Sequence, residues 1–185
     1  MWTYVKKLQY PVNIRHKDLK MAKALLAQYG GSDGELAASL RYLNQRYTMP
    51  DDKGKALLTD IGTEELAHME IVSSMVLQLM QGATIEDIRN AGLEANFISH
   101  DSNIFPKDAA GVPFTTAYID TTGDYIADLE SDMAAEQRAR AVYEHLMDFT
   151  NDPDVIAPLS FLRQREIIHY QRFKELRNYY LENKI

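Results

Sequence analysis

Apolar residues recur every three to four positions along four long stretches of this chain. That spacing, rather than strict alternation, predicts helices. The first stretch runs from about Lys17 to Tyr47, with an interruption at Gly30-Gly31. The second runs from about Asp52 to Met80, where Leu57, Leu58, Ile61, Leu66, Met69, Val72 and Met75 set the period. The third covers about Asp124 to Phe149 and the fourth about Asp154 to Leu181. Pro50 and Asn151-Asp152-Pro153 punctuate two short turns, so the four helices pair into two hairpins.

The segment between the hairpins follows a different pattern. Thr84 and Asp87 have the spacing of a capping box, which predicts a short helix in Ala83–Leu93. Residues 92–123 then mix Gly, Pro, Asp, Asn and Thr without a period. A loop of that length is uncommon inside a compact domain unless it crosses the structure or serves a function. The pattern as a whole predicts an all-α, ferritin-like four-helix bundle with one long crossover between helices two and three. Phe97, Ile104, Phe105, Val112, Phe114 and Tyr118 make this segment too apolar for a solvated linker. It is expected to lie along the bundle or in a subunit contact.

Composition narrows the reading. A length of 185 residues fits one domain, residues 1–185, with a sizeable core. The formal net charge of −7 argues against a nucleic-acid partner. No run approaches the roughly 18 apolar residues of a membrane span. The opening segment also lacks the apolar core of a secretory signal, so synthesis in the cytoplasm is expected. There is no cysteine, which leaves any metal to oxygen and nitrogen ligands.

The candidate chemistry lies within the helices. Glu65 and His68 are three residues apart and share a helix face. The same spacing recurs in Glu166 and His169. Each pair has a carboxylate 30 residues before its glutamate, Glu35 in the first hairpin and Glu136 in the second. The midpoints of these intervals are Pro50 and Asn151, the two expected turns. Residues equidistant from the turn of an antiparallel hairpin sit at one height, here roughly 20 Å from the turn at about 1.5 Å per residue. Two such hairpins would bring four carboxylates and two imidazoles to one level of the core.

That group cannot be buried unpaired at acceptable cost. Two divalent cations resolve the problem, and carboxylates with imidazoles form the ligand set of di-iron and di-manganese bundles. A lone Glu-x-x-His is ordinarily solvated surface; two of them, each with a glutamate at the same offset across a turn, are not. Glu64 points about 100° away from Glu65 and is read as a non-ligand. Tyr42 shares the face of Glu35 and is placed to hydrogen-bond within the site or simply to pack. Small residues on that face, Ala38 and Ser39, leave room for ions. His16, His100 and His145 have no partnering pattern, and the methionines read as core filler.

The segments YGGSDGELAASLRYLNQRY, TDIGTEELAHMEIVSSM, AAGVPFTTAYI, GDYIADLESDMAAEQRARAVY and FLRQREIIHYQRF carry a resemblance that covers nearly the whole chain. The chain resembles the manganese catalases of the ferritin-like superfamily, and is most similar to their spore-coat branch. The resemblance implies two manganese ions and the disproportionation of hydrogen peroxide to water and oxygen. It implies Glu35, Glu65, His68, Glu136 and His169 as ligands, Glu166 as an outer-sphere carboxylate that handles protons, and Tyr42 as a hydrogen-bonding neighbour. It further implies a homo-oligomer, hexameric by family habit, with assembly into the spore coat beside other coat proteins. Two features depart from the pattern. Some members have an arginine immediately before the third-helix glutamate, where this chain has Ala135. Longer members also carry a C-terminal extension that wraps neighbouring subunits, whereas this sequence ends at Ile185. Two other classes compete: a structural coat protein with a stabilising metal site, and a di-iron ferritin-like oxidase or peroxidase.

Overall fold

The computed structural model describes residues 3, 5 and 7–184. Its α-helices are α1 (Leu19–Gly30), α2 (Glu35–Gln45), α3 (Asp52–Leu79), α4 (Ile85–Asn90), α5 (Glu94–His100), α6 (Tyr125–Asp148) and α7 (Pro153–Asn183). Among the described residues no β-strand forms; Lys107 and Pro113 make an isolated antiparallel bridge. No helix among them is long and apolar enough to cross a membrane.

Aspartates start the long helices. Asp18 accepts from the amides of Lys20 and Met21, Asp51 from Gly54, Asp124 from Ile126 and Ala127, and Asp152 from Asp154. Each satisfies amides that have no partner inside the helix. Pro153 is the first residue of α7 rather than part of the turn, because a first-turn position needs no N–H and suits the fixed φ of proline.

The first expected helix is two helices. The break lies at Gly31–Gly34, and close backbone packing accounts for it. A Cβ on Gly31 would sit 2.3 Å from the Ala27 carbonyl oxygen. One on Gly30 would sit 2.5 Å from the Lys107 amide nitrogen, where the crossover segment presses against the end of α1. Apolar periodicity continues through the break, so the pattern alone reads as one interrupted helix.

The capping box of α4 forms as expected: Thr84 Oγ1 accepts from the Asp87 amide at 3.2 Å and Asp87 Oδ2 accepts from the Thr84 amide at 2.9 Å. Within the expected loop, α5 is an addition. Its sequence, EANFISH, buries no residue and has no side-chain cap, so it lacks both signals that reveal a helix in sequence. The crossover lies on the bundle. Phe97 and Ile104 pack against the core. Arg41 and Gln45 of α2 donate to the Tyr118 and Asp120 carbonyls at 3.2 and 2.8 Å. Phe105 and Val112 remain 45% and 47% exposed, so only part of the apolar set expected to be covered is buried.

Helices α6 and α7 pack along each other, and α1 and α2 pack along α3. The buried apolar residues fall into two groups. One gathers Leu25, Ile71, Met75, Leu79, Leu146, Val155 and Leu159 near one end of the bundle. The other gathers Tyr42, Leu58, Ile61, Leu129, Phe173 and Tyr180 near the other end. Along α3, α6 and α7 the residues between these groups are the polar set Glu65, His68, Glu136, Glu166 and His169, all buried.

Candidate metal centre

Equal spacing from two turns produces the level that the sequence arithmetic anticipates. Glu35 is the first residue of α2, Glu65 and His68 come from α3, Glu136 from α6, and Glu166 and His169 from α7. His68 Nδ1 lies 2.8 Å from Glu65 Oε2, 3.5 Å from Glu166 Oε1 and 3.6 Å from Glu35 Oε2. His169 Nδ1 lies 2.8 Å from Glu65 Oε1 and 3.8 Å from Glu136 Oε2. The two carboxylate oxygens of Glu65 thus face one imidazole each. The rings stack with centroids 5.4 Å apart. One donor atom from each of Glu65, His68, Glu166 and His169 fits within 4.8 Å of the others.

The donor atoms that face inward are not satisfied by the protein. Both oxygens of Glu65, Nδ1 of His68 and His169, Oε2 of Glu136 and Oε1 of Glu166 form no hydrogen bond, the 2.8 Å contacts of Glu65 with the two Nδ1 atoms being close approaches without hydrogen-bond angles. Native proteins rarely leave buried polar atoms in this state, and an uncompensated buried charge costs several kcal/mol. Fully ionised, the four carboxylates would carry four negative charges, which two divalent cations would balance. The residues present therefore fit a pair of hard or borderline divalent ions held by oxygen and nitrogen.

Titration shifts reflect the crowding. Burial, then the charge of Glu166, pushes the Glu35 carboxyl well above its usual range. Burial, with Glu166 and Glu65, does the same to Glu136. Burial works against charge on Glu65 too, yet His169 and His68 outweigh it and hold this carboxyl below its usual value. Burial also opposes charge on His169, but Glu65 and Glu64 raise it to about 9.

Two tyrosines fasten the outer carboxylates, each across the hairpin boundary. Tyr42 Oη donates to Glu136 Oε1 at 2.6 Å, and the Tyr143 hydroxyl donates to Glu35 Oε1. Tyr42 thus serves the opposite hairpin rather than its own. Tyr143 goes unnoticed in the sequence reading, although it follows Glu136 by seven residues just as Tyr42 follows Glu35. Glu64 lies on the outer side of the rings, with Oε2 3.0 Å from His169 Nε2. Ala135, Ala38 and Ala139 line a small crevice that reaches Glu35, Glu136 and Glu166, and Arg41 lines it from α2. The remaining histidines stay apart from the centre: His16 and His145 are exposed, and His100 stacks on Phe105.

A family model described as manganese containing catalase matches residues 1–182. The chain belongs to the manganese catalase family. It is 57% identical over 175 residues to protein CotJC of Bacillus subtilis, covering 95% of this chain and 92% of that one. It is 37% identical over 168 residues to a probable manganese catalase of Clostridium acetobutylicum, covering 90% and 74% of the two chains. The crystal structure of KatB, a manganese catalase from Anabaena, superposes with a TM-score of 0.87 at 30% identity, covering 95% of this chain and 79% of that one. The all-helical architecture is thus the ferritin-like fold of the manganese catalases, as the helix pattern anticipates.

Proposed function

We propose that this chain is a dimanganese catalase that converts two hydrogen peroxide molecules to two waters and one dioxygen. The carrying observation is the set of inward-facing donor atoms without protein partners at one level of a manganese catalase bundle. Glu35, Glu65, His68, Glu136 and His169 hold the two ions. When bound, a manganese pair supplies two-electron redox chemistry between its divalent and trivalent states, so no radical need escape.

The chain's own residues manage protons and access. Glu166 is the general base and acid: it collects protons from peroxide and returns them to the leaving oxygen. Its Oε1 has no hydrogen-bond partner, and its side chain borders the crevice. A carboxylate bound between two cations would be too acidic for that exchange. Tyr42 and Tyr143 hold Glu136 and Glu35 in place as acceptors. Ala135 and its small neighbours line the crevice, with Arg41 as the cation on its wall.

The 57% identity with CotJC and the resemblance to the spore-coat branch support a place in the coat. In this reading the chain is made in the cytoplasm and assembles as a homo-oligomer, a hexamer by family habit, beside other coat proteins. Metal analysis and an oxygen electrode, applied to one preparation, test the proposal. Two manganese ions per chain, with one dioxygen per two peroxides consumed, support it. Bound metal without oxygen release favours the structural coat protein. Iron with oxidase or peroxidase activity favours the di-iron class.

A further inference from the structure

Glu64 has more polar partners than its place outside the cluster requires. Arg165 approaches it with two prongs, Nε to Oε1 at 2.7 Å and Nη2 to Oε2 at 3.1 Å. Gln9 Nε2 donates to Oε1 at 2.6 Å. Its other neighbours are the two histidines. Oε2 lies 3.0 Å from His169 Nε2, and Oε1 lies 3.6 Å from His68 Nε2. One carboxylate therefore hydrogen-bonds the outer nitrogen of His169 and makes a longer ion-pair contact with the outer nitrogen of His68, which has no hydrogen-bond partner, while both inner nitrogens, Nδ1, face the unpartnered carboxylate oxygens.

We infer that Glu64 is a positioning residue shared by both histidines: through a hydrogen bond to His169 and a longer ion-pair contact to His68, its charge favours the N–H at Nε2 of each ring and leaves the Nδ1 lone pair directed into the cluster. The inference rests on the metal-site reading above. A neutral imidazole carries one N–H, and an anionic acceptor at one nitrogen selects the tautomer that leaves the other nitrogen free to bind a cation. Helix geometry allows this. Glu64 precedes His68 by four residues on α3, so it reaches that ring from within its own helix, and it meets His169 across the α3–α7 contact.

The sharing follows from a break in the repeat between hairpins. Glu65, His68, Glu35 and Tyr42 each have a like residue 101 positions later, in Glu166, His169, Glu136 and Tyr143. The residue 101 positions after Glu64 is Arg165. A fully repeated site would have one carboxylate behind each histidine. Here a cation fills the second place, and its two-pronged grip fixes a single carboxylate between the rings. Two carboxylates at this spot would repel; a carboxylate and a guanidinium close the outer side of the centre with little net charge.

The test is a titration with Mn²⁺ alone, resolving both binding steps, on the wild type and on Glu64→Ala, Glu64→Gln and Arg165→Gln. Outer carboxylates of this kind are typically worth about 10–100-fold in metal affinity. Glu64→Ala is expected to weaken both steps by about that factor while the helical signal and metal-free melting stay close to wild type. Glu64→Gln should recover part of the loss, since its carbonyl still accepts an N–H. Arg165→Gln should show a smaller loss in the same direction. Unchanged affinity in Glu64→Ala overturns the inference, and so does loss of one ion with the other unaffected, which would make Glu64 a ligand or a brace for one ring. If Glu64→Ala does not fold, unchanged affinity in both remaining variants overturns it. A wild type that binds no Mn²⁺ overturns the metal-site reading itself; a wild type that binds two ions beside unaffected variants overturns the brace alone.

Discussion

The α2–α3 hairpin and the α6–α7 hairpin present the same polar residues to the centre: a glutamate, a tyrosine seven residues on, and a Glu-x-x-His pair on the partner helix. Their frames differ. The second hairpin delivers its glutamate from the middle of α6, a continuous helix of 24 residues. The first delivers Glu35 from the first residue of α2, just after the glycine break. A helix start and a helix middle can place a carboxylate at one height, provided the turn-to-residue distance is equal. The site depends on that distance, and continuity of the helix is free to vary. The hairpins also differ outside the rings, where Glu64 faces Arg165, and in proposed chemistry, where Glu65 binds ions and Glu166 moves protons.

The largest effects should come from breaking the centre through its shared carboxylate. Glu65 faces both inner imidazole nitrogens, so Glu65→Ala is expected to release at least one ion and to lower stability by about 3–5 kcal/mol, the usual scale for stranding a buried charge. Metal analysis and thermal melting on one preparation check this. Two manganese ions retained per chain would refute the ligand role. The counterpart, Glu166→Gln, is expected to keep both ions and the fold but to cut peroxide turnover by about 10²-fold. Loss of an ion in this variant would instead make the two hairpins equivalent ligand carriers.

Smaller changes test the frames. Gly30→Ala places a methyl group against the Pro106–Lys107 backbone, with contacts of 2.5 to 2.7 Å that backbone atoms cannot easily relieve. A loss of about 1–3 kcal/mol, read from denaturant unfolding, is expected from this overpacking. Wild-type stability would show that the crossover does not press on the end of α1. The smallest effects should come from Tyr42→Phe and Tyr143→Phe. Each removes one hydrogen bond to an outer carboxylate, worth about 1 kcal/mol. The two losses should be alike, because the tyrosines do the same task in opposite hairpins. A large difference between them would show that the repeat is broken here as well as at Glu64.

Much of this centre is legible in the chain. Apolar periodicity predicts the long helices, and the equal 30-residue intervals predict that Glu35, Glu65, His68, Glu136, Glu166 and His169 share a level. Both are local properties: the period follows from 3.6 residues per turn, and height follows from a fixed rise per residue. The capping box at Thr84 and Asp87 is legible for the same reason, since its atoms belong to neighbouring residues. The helix α5 is not legible, because a surface helix without an apolar stripe or a cap carries no local signature.

What packing alone decides is how each helix is rotated and which residue of the other hairpin it meets. The seven-residue spacing places Tyr42 and Tyr143 near their own glutamates, but the tertiary structure crosses them, Tyr42 to Glu136 and Tyr143 to Glu35. Glu64 reads in sequence as a carboxylate turned away from the centre, and so it is; that it ends between both histidines and against Arg165 depends on α7 lying beside α3. The glycine break likewise shows its purpose only where the crossover returns to α1. Rise and period are set by covalent geometry and backbone hydrogen bonds, so the sequence by itself determines the level of the site. The contacts within that level form between side chains about 100 residues apart, and only the packed bundle selects them.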